Sequence, residues 1–107
     1  MANFYKNAFY DPSTTAAVTV YTCPSNANAI IQNIQLTNES GSKVVKVKVL
    51  DSNVTTTYQI AYASITGATI CNLAKAPIVM EAGDILKIQS SNTTGISAVI
   101  SLLEIDF

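Results

Sequence analysis

Histidine and arginine are both absent from this 107-residue chain. Without histidine the commonest general base and metal ligand is missing. Ser-His-Asp and Cys-His nucleophilic arrangements are therefore excluded. Without arginine the chain lacks the side chain best suited to neutralising phosphates and gripping guanine edges, so no nucleic-acid partner is expected. Charge of either sign is scarce, at 12% of residues, where about 25% is typical. The carboxylates Asp11, Glu39, Asp51, Glu81, Asp84, Glu104 and Asp106 are dispersed, and none forms the facing pair that glycoside hydrolysis needs. Glu81 and Asp84 flank Gly83 in a turn, where Asp84 is expected to accept from nearby backbone amides. The stretch Asp51 to Asn53 lacks the acidic density and distal glutamate of a calcium loop. The 4 glycines are scattered and build no phosphate-binding loop. No apolar run approaches the ~18 residues of a membrane-crossing helix, and Met1 to Tyr10 lacks the basic head and apolar stretch of a signal peptide. Cys23 and Cys71 stand too isolated for a disulfide framework or a zinc site; free buried thiols or a single bridge both fit. The chain is read as non-enzymatic, with no catalytic residues, no metal and no cofactor.

What is present favours strands. Hydrophobic residues make up 49% of the chain, enough to build a core for one compact domain. Thr, Val, Ile, Ser and Asn dominate, and apolar residues alternate rather than recur at helical spacing. Residues 1–16 read as an extended arm carrying Phe4, Tyr5, Phe9 and Tyr10, and residues 17–107 as the folded domain. Strands are predicted over 17–22, 28–38, 43–51, 55–63, 77–80, 85–90 and 96–105, with an ambiguous stretch over 64–73. In 28–38, Ile30, Ile34 and Leu36 are placed on one face. In 43–51, Val45, Val47 and Val49 point one way and Lys46 and Lys48 the other, and the cluster Lys43, Lys46 and Lys48 is read as the solvated face of one strand. Tyr58, Ile60 and Tyr62 share a face of the next strand, where two rings could stack on a sugar. The stretch 77–80 is short, begins at Pro77 and reads as an edge, since proline cannot donate to a ladder. About eight short antiparallel strands with regular turns define an all-β single β-sandwich, jelly-roll-like or immunoglobulin-like.

The last strand is apolar on both sides. Ile96, Ala98, Ile100 and Leu102 alternate with Val99, Leu103, Ile105 and Phe107. A sandwich buries one face of each sheet, so the second face calls for cover from the arm, a loop or another subunit. With so few charges, the surface is neutral, polar and partly apolar, which suits permanent contact with neighbours. The candidate interface is therefore Phe4, Tyr5, Phe9 and Tyr10 on the arm and Val99, Leu103, Ile105 and Phe107 on the last strand.

Two groups of residues resemble a known pattern. Val20-Tyr21-Thr22-Cys23-Pro24 precedes Ala29-Ile30-Ile31-Gln32-Asn33-Ile34 and then Leu36-Thr37-Asn38. Ala76-Pro77-Ile78-Val79-Met80-Glu81-Ala82-Gly83-Asp84-Ile85-Leu86-Lys87 leads into a final strand ending Leu103-Glu104-Ile105. This order resembles the small β-sandwich virion structural proteins of tailed bacteriophages of the marine and cyanobacterial type, over roughly residues 18–105. The chain departs from that pattern at Cys23, where valine is usual, and in its aromatic arm. The resemblance implies a capsid decoration or cement protein, or a tail-associated component. Such a protein would form a homo-oligomer, a trimer or ring, and contact a major capsid protein or tail proteins. It would be made in the host cytoplasm and reside in the virion, with no membrane partner. The alternative is a carbohydrate-binding module at a host-recognition tip, using the Tyr58 and Tyr62 rings.

Overall fold

The computed structural model describes residues 2–107, and Met1 of the expected arm lies outside them. Nine strands form: β1 (Asn3–Tyr10), β2 (Val18–Thr22), β3 (Ala27–Asn38), β4 (Ser42–Asp51), β5 (Thr56–Thr66), β6 (Thr69–Asn72), β7 (Ile78–Met80), β8 (Ile85–Ser90) and β9 (Ile96–Asp106). The expected all-β sandwich is present, with one strand more than the sequence reading. The ambiguous stretch 64–73 resolves into the end of β5 and the whole of β6.

Five strands make one sheet in the order β1-β9-β3-β6, with β7 also paired to β3 beyond the end of β6. Four make the other, in the order β2-β8-β4-β5. All pairs are antiparallel. The connectivity is that of a folded ribbon. The β4–β5 hairpin is its tip, and β3 with β6, β2 with β8 and β1 with β9 follow back along its length. Successive pairs alternate between the sheets, which is the winding of a jelly roll.

The core lies between the sheets. Ile31, Ile34, Leu36, Ile100 and Leu102 from the first sheet meet Val45, Val47, Leu86 and Ile88 from the second, and all are at most 1% exposed. Alternation puts these residues inward, as period-2 patterning requires. Three bulges interrupt it. Extra residues stand at Val20 in β2, Gln32 in β3 and Ile60 in β5. A bulge sets two residues against one, so the strand beyond it changes phase. Ile31, not Ile30, therefore joins Ile34 and Leu36 in the core, and Ile30 turns outward. The expected grouping of Ile30 with Ile34 and Leu36 is corrected by the bulge at Gln32.

Polar groups close both ends. At one, the buried Asn38 amide donates to the Gly41 and Gly67 carbonyls at 3.0 and 2.8 Å and accepts from Lys43 Nζ at 2.6 Å. Lys43 is thus inside, which corrects its expected place on a solvated face with Lys46 and Lys48: it lies on the inner side of β4, where Asn38 and the Ser40 carbonyl take its ammonium. At the other end, Asp84 accepts from the Ser52 and Glu81 backbone amides at 3.0 and 2.9 Å, the role its turn position implied. Gly83 beside it has φ 85° and lies against Ser52, where an added Cβ would meet Oγ at 3.0 Å. A side chain there would be strained and crowded.

Candidate assembly surface

The outer face of the five-stranded sheet follows from the register. Tyr5 of β1 lies opposite Leu103 of β9, Leu103 opposite Ile30 of β3, and Ile30 opposite Val79 of β7. Residues opposite one another point to the same side. Together they make an apolar row across four strands. On one side of it lie Asn3, Ile105 and Asn28, and on the other Asn7, Ser101 and Asn33. Beyond these comes a second partly apolar row, Phe9–Val99–Gln35–Asn72, and then Ser97–Thr37–Ile70. No residue of these rows is charged. Tyr5 is 80% exposed, Phe9 70%, and Val79 and Ile70 67% each. No other segment among the described residues covers this face.

The structure brings five of the eight expected interface residues together here: Tyr5, Phe9, Val99, Leu103 and Ile105. Three lie elsewhere. Tyr10 faces Ala98 on the inner side and is 2% exposed, so it belongs to the core. Phe4 faces Glu104 on the inner side, at the open end of the sandwich. Phe107 follows β9, exposed, with its amide donating to the Asn26 carbonyl. Sequence reading missed Ile30, Val79 and Ile70. Ile30 was hidden by the Gln32 bulge, and the others sit on strands too short to show a period. The N-terminal segment itself is extended and peripheral. As β1 it pairs along β9 from Asn3 opposite Ile105 to Tyr10 opposite Ala98.

A further buried ionisable group, Glu104, lies on the inner side of β9. Glu104, 3% exposed, is met by Lys6 Nζ at 2.9 Å and by the Tyr21 hydroxyl, which donates at 2.5 Å. These three side chains come from β9, β1 and β2, so they join the two sheets. Burial pushes the Glu104 carboxyl up, but the hydrogen bonds from Tyr21 and Lys6 and the lysine charge outweigh it, holding the group below its usual range. Burial raises the Tyr21 hydroxyl, and the hydrogen bond to Glu104 adds to it, so Tyr21 stays a neutral donor. Burial also raises the Cys23 thiol, which keeps it protonated and poorly nucleophilic. Cys23 and Cys71 are both free, and Cys71 is partly exposed. No cluster of three or more potential metal ligands exists among the described residues.

The other outer face differs. Lys46, Lys48 and Lys87 stand on it, with the Lys46 ammonium 6.0 Å from the Tyr62 ring centre. The Ile60 bulge separates the two tyrosines proposed to share a face. Tyr62 opposes the outward Lys46, while Tyr58 opposes the inward Val49. They do not form one stacking platform.

The fold class is thus a β-sandwich with jelly-roll winding. It is shared with a chain in the solved structure of the infectious bursal disease virus Gx strain, aligned at a TM-score of 0.52 and 15% identity over 98% of this chain. A chain in the Gt strain structure aligns at a TM-score of 0.45 and 17% identity over 99% of this chain. This chain spans 31% of the length of either. No protein-family model and no curated protein matches the sequence.

Proposed function

We propose that the chain is a virion structural protein that acts by assembly, with the outer face of the five-stranded sheet as its contact surface. The observation that carries this reading is that uncharged face with its Tyr5–Leu103–Ile30–Val79 row. Protein interfaces deplete charge at their centres and favour aromatic residues. Four strand positions at ~4.8 Å spacing and strands of ~30–36 Å give on the order of 600 Å² of face, against ~800 Å² per partner in a standard interface. Jelly rolls recur in viral capsid proteins, and the likeness to a chain in a virus structure fits that role. Fold likeness at this identity is an analogy, so the surface bears the argument.

The neighbour comes from a bursal disease virus, so the tailed-bacteriophage setting rests on the order of motifs in the sequence alone. Within that setting, the finer reading is a capsid decoration or cement protein or a tail-associated component, joined to the major capsid or tail proteins. The sugar-binding alternative loses its paired-ring platform and is not carried further.

The test is incorporation into particles. Particles assembled with the wild-type chain should contain it at fixed stoichiometry by quantitative mass spectrometry. A copy number matching the capsid lattice assigns decoration, and one matching the tail symmetry assigns the tail. Leu103→Lys should fold normally yet be depleted from particles at least 10-fold, because a buried unpaired charge opposes docking. Normal incorporation of a folded Leu103→Lys chain would remove this face from the proposal.

A further inference from the structure

A second surface, independent of that face, lies along β5. The sandwich has two sides where the sheets end. On one, β1 and β2 are the edges. β1 carries Lys6 pointing inward, and β2 is 5 residues long and bulged. On the other, β6 and β7 are 4 and 3 residues long, but β5 has 11. Natural edges are blunted by shortness, charge, proline or bulges. β5 contains no proline and no charged residue, and none occurs from Ser52 to Ala74. Its one bulge, at Ile60, leaves Ala61 to Thr66 in regular register with β4.

The ladder tells which backbone groups face outward. Val44 of β4 donates its amide to Ser91 Oγ at 3.0 Å and accepts from the Ser91 amide at 2.9 Å, so it turns away from β5. Its partner Ser64 is therefore in a non-hydrogen-bonded pair, with N–H and C=O directed to the open edge. Alternation gives Tyr62 and Thr66 the same direction. The Gly67 amide bond to the Gly41 carbonyl at 3.0 Å, one residue beyond Thr66, agrees with this phase.

We propose that this edge pairs with β5 of a second copy, antiparallel about a two-fold axis through Ser64, joining two four-stranded sheets into one of eight. Opposed residues must point to the same side of the sheet and must both offer outward groups. Ser64 opposite Ser64, with Tyr62 opposite Thr66 in both directions, uses every outward residue of the regular segment. A second copy fits because a two-fold contact sets each residue near its own equivalents, and an uncharged segment brings no like charges together. The inward pairs set Ala63 opposite Ile65. Small Ala61 and Ala63 leave a groove of 680 Å³ between β5 and β6, floored by Cys71 and Leu73.

Sedimentation equilibrium of the full chain tests this. The wild type should show twice the monomer mass. Ser64→Lys, which sets two ammonium groups side by side, should weaken the dimer at least 10-fold. Ser64→Pro should do the same, with a thermal midpoint equal to that of the wild type at dilutions where both are monomeric, because the lost N–H makes no bond within the chain. Leu103→Lys should leave the dimer intact. In a Cys71→Ser background, Ser64→Cys should oxidise to a disulfide-linked dimer, since hydrogen-bonded pairs bring Cα atoms to ~5.5 Å, within disulfide reach. Thr14→Cys, on an exposed loop, should not. A wild-type monomer at all concentrations, a dimer indifferent to Ser64→Lys, or equal cross-linking at Thr14 and Ser64 would each overturn the proposal. So would a dimer broken by Leu103→Lys but not by Ser64→Lys, which would assign self-association to the sheet face.

Discussion

The two sheets have the same inner chemistry and opposite outer faces. Both bury isoleucine and leucine against each other, with the buried valines Val45 and Val47 on the four-stranded side. Outside, one carries Lys46, Lys48 and Lys87, which is half of the 6 cations in the chain. The other carries none, and instead aligns Tyr5, Leu103, Ile30 and Val79 across its strands. Lysine is strongly hydrated and resists burial, while an apolar row loses little on leaving water. In a chain with so few charges, their placement separates a face kept in water from a face available for contact.

The first way to probe that comparison is to check that it concerns only the outer faces. Ile100→Ala in the five-stranded sheet and Ile88→Ala in the four-stranded sheet remove side chains that are both 0% exposed. Each should cost ~2–5 kcal/mol in urea unfolding. A cost below ~1 kcal/mol for only one of them would mean that the sheets differ inside as well.

The next largest effect belongs to Leu103. Leu103→Lys should leave unfolding free energy within ~1 kcal/mol, since the residue is already partly exposed. Its effect should instead fall on assembly, where a 10- to 100-fold loss corresponds to ~1.4–2.7 kcal/mol. If unfolding suffers as much as Ile100→Ala, the face is ordinary core covered in some way.

The Glu104 cluster ties the edge strand β1 to β9 and β2 on the inner side. Glu104→Gln weakens the Lys6 pairing and should cost ~1–3 kcal/mol near neutral pH. The native carboxyl is held below its usual range, so its contribution is present above the unfolded pKa near ~4.3. It is lost as pH falls from there through the lower folded value. Wild-type stability should drop over that acid window, and the variant should lose part of the slope. A variant with an unchanged acid slope would show that Glu104 does not hold β1 through its charge.

The sandwich was legible in the sequence because alternation is local. Val45, Val47 and Val49, and the two apolar sides of β9, could be read directly, and β9 pointed to the uncovered face. Two things were not legible. Bulges leave no residue signature, so the phase of β3 beyond Gln32 and of β5 beyond Ile60 was misassigned. That misplacement hid Ile30 and joined Tyr58 to Tyr62. Strand order is a long-range property. Nothing local says that Tyr5 and Val79, 74 residues apart in number, end one row (79 − 5). It also does not say that β5 is an edge, or that Tyr10 turns inward while Phe9 turns out.

The smallest effect is the most discriminating. Lys46 lies over the Tyr62 ring on the charged face, an exposed cation–π contact worth ~0.5–1 kcal/mol. Lys46→Gln should therefore cost no more than ~1 kcal/mol in stability and leave incorporation unchanged. The reason is specific to the comparison. If the lysine face is solvated in the assembled particle, exchanging an ammonium for a neutral amide alters no contact with a neighbour. If incorporation falls with Lys46→Gln as it does with Leu103→Lys, both outer faces touch partners. Charge placement would then no longer distinguish them, and the chain would be sandwiched between two neighbours rather than docked by one sheet.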